Sequence, residues 1–308
     1  MKSLKLNPPL IWTVMFLAAF AEIAHAGPYA PAAGQPGSTA IAHDDPRIVS
    51  WVTSAMSPTI DYGDEMTLPD AEFSNISRSF GPAKSSEEAI FDILSLGKGG
   101  EYTLTFDNEF APAIYDGEGA DFVIFENSFS DNFLELAQVW VSDGSLALNG
   151  SGETLFLPFD HDSLTSSPVN AFGTLDPTNI NGLAGKYRGG FGTPFDLSDL
   201  NDLISDIQQG FPGFSFDLNN ITQIKIVDVV GDGSVKDTSG DPIYDPYPTS
   251  GSIGFDLDAV GFINVVGGPP DPIPLEKQVP IPPLFLMIQA ALLLGVLRGR
   301  IKSTRVEK

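Results

Sequence analysis

Asp121-Phe122-Val123-Ile124-Phe125-Glu126 is the stretch that decides the fold. Two aromatic and two β-branched residues run together without a polar break, and a carboxylate closes each end. A run this short and this apolar predicts a β-strand buried on both faces. Working outward, residues 101–106 alternate Tyr102, Leu104 and Phe106 against Glu101, Thr103 and Thr105. Residues 134–141 and 221–230 are rich in Val, Ile and aromatic side chains, and residues 255–264 close the set. Gly, Asp, Asn and Pro clusters punctuate these runs, as in Asp116-Gly117-Glu118-Gly119 and Ser142-Asp143-Gly144. Many short strands between Gly/Pro turns predict an all-β sandwich of the jelly-roll type.

One or two short peripheral helices are expected beside the sheets. Asp196 is a candidate N-cap, and Leu197, Leu200, Leu203, Ile204 and Ile207 fall on one face before Gly210. Over residues 86–94 a helix begun by Ser85 or Ser86 competes with a strand through 91–96. No internal repeat of solenoid length is present.

The ends of the chain differ in kind from its middle. Lys2 and Lys5 precede an apolar run over residues 10–21, and Ala24-His25-Ala26 offers a small-x-small cleavage site before Gly27. That order is the pattern of a secretory signal peptide. At the other end, Val279-Pro280-Ile281-Pro282-Pro283 opens a fourteen-residue apolar run containing Gln289, closed by Arg298, Arg300 and Lys302. As a helix the run would span about 21 Å, short of the ~30 Å hydrocarbon core. It is either a weak anchor, an interfacial helix or a sorting tag. The expected organisation is a signal peptide over 1–26, an extended lead-in over 27–47, one β-domain over 48–266, a Pro-rich spacer over 267–278 and the tag over 279–308.

Charge excludes several functions. Residues 27–283 hold 38 acidic against 9 basic side chains, a formal charge of about −29. Nucleic acids and anionic membrane surfaces require the opposite sign, so neither is an expected partner. The chain has no cysteine, which removes thiol catalysis and disulfides. Beyond residue 26 only His43 and His161 remain, too little for a serine–histidine triad or a histidine metal cluster.

Three groups of residues carry candidate chemistry. Asp228, Asp232, Asp237, Asp241, Asp245, Asp256 and Asp258 fall within 31 residues, opposed only by Lys236. Calcium takes hard oxygen ligands of this kind, and Asp228, Asp232, Asp241, Asp245, Asp256 and Asp258 are its candidate ligands. Asp256 and Asp258, two apart, are expected on one face of a strand, with Phe255 and Leu257 on the other. No EF-hand spacing occurs, and the alternative is a solvated acidic loop whose side chains cap turns. The second group, Asp121, Glu126, Asn127 and Glu135, contains a pair, Glu126 and Glu135, that could serve a glycan hydrolase as acid and base. Such residues are otherwise structural acids or ligands of an internal cation. The third group is the Gly/Asn-rich loop over 176–197, where Lys186, Tyr187, Arg188 and Phe191 are candidate sugar-binding residues. A long connection packed by its own aromatics is the alternative.

Read together, the segments YAPAAGQPGSTAI (29–41), SLGKGGEYTLTFDN (95–108), GADFVIFENSF (119–129), FLELAQVWVSDG (133–144), DPTNINGLAGKYRGGFGTPFDL (176–197), IVDVVGDG (226–233), PIYDPYPT (242–249) and GFDLDAVGFIN (254–264) resemble a family of bacterial cell-surface proteins. The tail resembles the C-terminal sorting domain named PEP-CTERM for its Pro-Glu-Pro motif, with Val-Pro-Ile-Pro-Pro in place of the Glu-bearing form. These resemblances imply export and recognition by a sorting enzyme at the inner membrane. Delivery to the cell surface or an extracellular polysaccharide matrix follows, with membrane contact only through the C-terminal segment. They also imply a β-sandwich similar to galactose-binding-like jelly rolls, with a binding, adhesive or structural role toward polysaccharide. No catalytic residue carries over. In jelly rolls of that kind a structural calcium often lies near the last strand, which would fit Asp256 and Asp258. The chain departs from the family at SLALNGSGETLFLPF (145–159), where an edge hairpin is longer.

Overall fold

Every residue of the strand that opened the sequence reading is buried, because a layer lies on each side of it. The structure is a computed structural model and describes residues 27–63, 67–84, 91–106 and 112–267. The expected signal peptide, most of the expected Pro-rich spacer, the expected sorting tag and residues 85–90 of the competing helix lie outside the described residues. In chain order the strands are β1 (Ile41–Ala42), β2 (Ser50–Trp51), β3 (Thr59–Asp61), β4 (Leu94–Ser95), β5 (Glu101–Thr105), β6 (Phe122–Glu126), β7 (Ala137–Ser142) and β8 (Leu157–Pro158). They continue with β9 (Asp162–Ser163), β10 (Ile180–Asn181), β11 (Phe191–Phe195), β12 (Gln223–Asp228), β13 (Asp232–Lys236), β14 (Pro242–Tyr244) and β15 (Asp256–Phe262). A single α-helix, α1 (Asn201–Gly210), accompanies them among the described residues.

The strands form two main antiparallel sheets. One runs β1-β11-β6-β15-β2 with β4 also paired to β15, and the other runs β3-β5-β12-β7-β8. Both sheets feed one apolar core. Phe122, Ile124, Phe195, Leu257, Val260 and Phe262 come from the first, and Tyr102, Leu104, Val139, Val141, Ile224 and Ile226 from the second. Burying side chains of this size contributes roughly 1.5–3 kcal/mol each. The alternate residues of β6, Val123 and Phe125, meet a separate layer made by Ile41, Ile48, Trp51 and Ala83. The lead-in contributes Ile41 to this second cover, and it adds β1 as an edge strand.

Asp196 caps the helical segment as expected, accepting the Ser198 N–H at 2.9 Å. A 3-10 turn over Leu197–Leu200 leads into α1, and Leu197, Leu200 and Ile204 face the core. No helix among the described residues is long and apolar enough to cross a membrane. At Leu94–Ser95 the chain is a strand.

One irregularity shapes the site. Leu257 pairs with Glu126 and Ala259 with Phe125, leaving Asp258 as an extra residue on β15. The bulge lets both Leu257 and Val260 face the core although they are three apart.

Candidate functional site

The strand ends converge on a buried nest of carboxylates. Glu126 ends β6, Glu135 sits just before β7, Asp228 ends β12, Asp245 follows β14 and Asp256 starts β15. All five are buried. Antiparallel pairing of β6 with β15 sets Glu126 opposite Leu257, next to Asp256. On β12 the inward positions are Ile224, Ile226 and then Asp228, so the same alternation that builds the core delivers a carboxylate to its rim.

Backbone donors hold part of this charge. Asp228 accepts the Gly99 N–H through Oδ2 and the Phe255 N–H through Oδ1, both at 2.7 Å. Asp245 Oδ2 accepts the Leu136 N–H at 2.9 Å, and Glu126 Oε2 accepts the Ser128 N–H at 2.8 Å. Glu126 Oε1 and Asp256 Oδ1, in contrast, are buried without a hydrogen-bond partner. Burial first, and the Asp256 charge second, push Glu126 well above the usual carboxylate range. Glu135 is raised by burial and then by Asp256, Glu126, Asp245 and Asp228. Burial raises Asp228 and Asp256 to about 7 each, and burial followed by Asp228 raises Asp245.

Two cavities open onto the nest. The larger, of about 390 Å³, has Asn127, Glu135 and Asp256 among its lining, with Asp70 and Glu72. Its aromatic wall is Phe129, Phe133 and Phe172. Phe129 and Phe133 stack at 4.6 Å between centroids, and Phe133 and Phe172 follow at 6.4 Å. Phe129 is 58% exposed and Phe172 85%. Among the described residues, no Lys, Arg or His lines this cleft. The smaller cavity, of about 120 Å³, is lined by Lys98, Glu135, Asp228, Asp245 and Tyr247 among others.

Of the six aspartates expected as calcium ligands, Asp228, Asp245 and Asp256 belong to the nest. Asp232 is exposed and accepts the Ser234 N–H, and Asp241 is exposed with its N–H donating to Asp237 Oδ1. Asp258 pairs with Lys84 at 3.1 Å. The six therefore do not surround one point. Glu126 and Glu135 join the nest, so the second group of candidate residues merges with the first. Glu126 is sealed and does not line the cleft, so this pair does not flank an open substrate groove.

The loop over 176–197 takes the packed form. Lys186 is buried with Nζ donating to Ile180 O at 2.7 Å, and burial lowers it to about 8. Tyr187 is buried with its hydroxyl 2.7 Å from Thr39 Oγ1. Arg188 pairs with Asp131 at 2.8 Å and covers the Phe191 ring at 4.4 Å. Lys186 and Tyr187 are thus covered by the lead-in, whereas Arg188 and Phe191 stay partly exposed. The Phe129–Phe133–Phe172 wall went unread in the sequence; its signal was two phenylalanines four apart in the polar segment Ser128–Phe133.

A further trio stands apart from the nest. Asp116, Asp121 and Asp196 each present an oxygen within 4.8 Å of the others. Asp121 accepts N–H groups from Gly117, Asn264 and Leu197 at 2.7–2.8 Å, and Asp196 caps Ser198. No family model, curated protein or solved structure matches the chain.

Proposed function

We propose that the chain is an exported, calcium-stabilised cell-surface or matrix protein whose jelly-roll sandwich binds polysaccharide in the aromatic-walled cleft. Export and surface delivery rest on the basic-apolar-small leader and the Val-Pro-Ile-Pro-Pro tail, with a sorting enzyme at the inner membrane as the processing partner. The observation that carries the binding role is the stacked wall of Phe129, Phe133 and Phe172 above a floor of Asn127, Glu135 and Asp256. A pyranose presents an apolar face to such a wall and hydroxyls to such a floor. The acidic lining disfavours uronic and sulfated sugars, so the ligand is a neutral polysaccharide.

The test is a glycan array and calorimetric titration with the mature secreted chain and with the double variant Phe129→Ala/Phe172→Ala. Neutral oligosaccharides should bind the parent and lose most of their affinity for the variant, whose melting temperature should stay close to the parent's. Absence of sugar binding, or binding indifferent to both substitutions, would refute the role.

A further inference from the structure

We propose that the aromatic-walled cleft seats a hexosamine whose amine is free and protonated, within an otherwise neutral polysaccharide. The proposal rests on the polysaccharide-binding reading and narrows it. The chain itself uses the recognition chemistry twice. Arg188 lies 4.4 Å from the Phe191 ring centroid and 2.8 Å from Asp131. Lys225 lies 4.4 Å from the Phe156 ring centroid and 3.2 Å from Glu101. In both places one cation is shared between an aromatic face and a carboxylate, and the ring quadrupole and the negative charge attract it together.

The cleft has two of those three parts. Phe129, Phe133 and Phe172 offer ring faces, and Phe129 and Phe172 are largely exposed. Asp70, Glu72, Glu135 and Asp256 offer carboxylates along the same lining. Asp256, only 2% exposed, keeps Oδ1 as an acceptor without a partner, although Ser95, Ser252 and Asn127 also hold this carboxylate. The cation does not come from the protein. Among the described residues no basic side chain lines the cleft. Lys84 pairs with Asp258 and Asp92, and Lys98 lies over the Tyr247 ring. Segments 64–66, 85–90 and 107–111 contain no Lys, Arg or His in their sequence. A pyranose stacked on the wall carries its C2 substituent at the ring edge. A free amine there brings a positive charge to the acids, and an N-acetyl group does not.

The mature secreted chain is titrated by calorimetry at neutral pH with a glucosamine oligosaccharide and with its fully N-acetylated counterpart. The free-amine probe should bind roughly tenfold tighter, the gain expected when an exposed cation meets a ring face and a carboxylate. An acidic chain also attracts cations in general, so two double variants separate the cleft from the rest. Asp70→Asn/Glu72→Gln removes two exposed charges from the lining, and Asp202→Asn/Asp206→Asn removes two from the exposed side of α1. The cleft variant should lose most of the preference and keep its affinity for the acetylated probe. The helix variant should retain the preference. Single variants Asp70→Asn and Glu72→Gln give the same comparison if the pair does not fold. Equal affinity of the parent for both probes, a preference retained by the cleft variant, or one lost equally in both variants would overturn the inference and leave polysaccharide binding standing. Failure of the parent to bind either probe would overturn both.

Discussion

Asp258 and Lys84 meet twice: the ammonium lies 3.1 Å from Oδ1, and the Lys84 backbone N–H donates to Oδ2 at 2.8 Å. Two residues earlier on the same strand, Asp256 Oδ1 has no partner. The bulge at Asp258 separates the two environments. One carboxylate is thus paired with a basic side chain, whereas the other has one oxygen without a partner and is held by Ser95, Ser252 and Asn127.

The first expectation concerns that pair. Lys84→Met should destabilise the fold by about 3 kcal/mol, at the lower end of the cost of orphaning one member of a buried ion pair, since Lys84 is itself partly exposed. Urea denaturation of the two proteins measures it. A change below about 0.5 kcal/mol, the range of ordinary surface substitutions, would show that Asp258 is supported by its backbone donor alone.

Gly254 should resist substitution. Its φ is +72°, and a Cβ there would stand 2.6 Å from both Asp228 Oδ1 and Gly97 O. The left-handed backbone alone costs an ordinary residue roughly 1–2 kcal/mol, and the collision adds to it. Gly254→Ala should therefore lower the melting temperature and disturb Asp228's grip on the Phe255 N–H. An alanine variant as stable as the parent would contradict the geometry.

Stability in chelator should fall as pH rises. Burial raises Asp228 and Asp256 from 3.8 to about 7. Between those values the folded chain holds more protons than the unfolded one, so the slope of stability against pH is negative. Their contribution is fully present below about pH 4 and is lost as pH climbs through 7. Melting scans in EDTA at pH 5 and pH 8 should give the lower temperature at pH 8, and calcium should raise it most at the higher pH. A flat or rising profile in EDTA would show that these acids titrate normally.

The mature amino terminus should be Gly27. Its backbone nitrogen lies 2.6 Å from Thr178 Oγ1, and a Cβ there would come within 2.1 Å of Thr178 O. Mass spectrometry of the secreted protein should find an N-terminal peptide starting Gly27-Pro28-Tyr29. Retention of residues 1–26 on the exported molecule would remove the signal peptide from the account.

Local pattern made part of this molecule legible. The apolar run at 122–125, the alternation of Tyr102 and Leu104, and the Asp196 cap each announce their own element, because neighbours within a few residues decide them. The nest was less visible. Glu126 and Asp256 are 130 positions apart and become neighbours only through the register of β6 on β15. Nothing local to either residue encodes that register. The bulge at Asp258 interrupts a strand whose residues read as regular alternation. Lys186 and Tyr187 misled for the opposite reason: a Gly/Asn-rich loop suggests exposure, whereas the lead-in, through Tyr29 and Thr39, covers them.

Glu135 lines both cavities, the aromatic-walled cleft on one side and the small chamber of Lys98, Asp228 and Asp245 on the other. A single carboxylate therefore serves as a party wall. Whatever changes its charge from one compartment changes the field felt in the other, and reciprocity requires the effect to run equally in both directions. An occupant of the small chamber would tune the grip of the cleft without touching it.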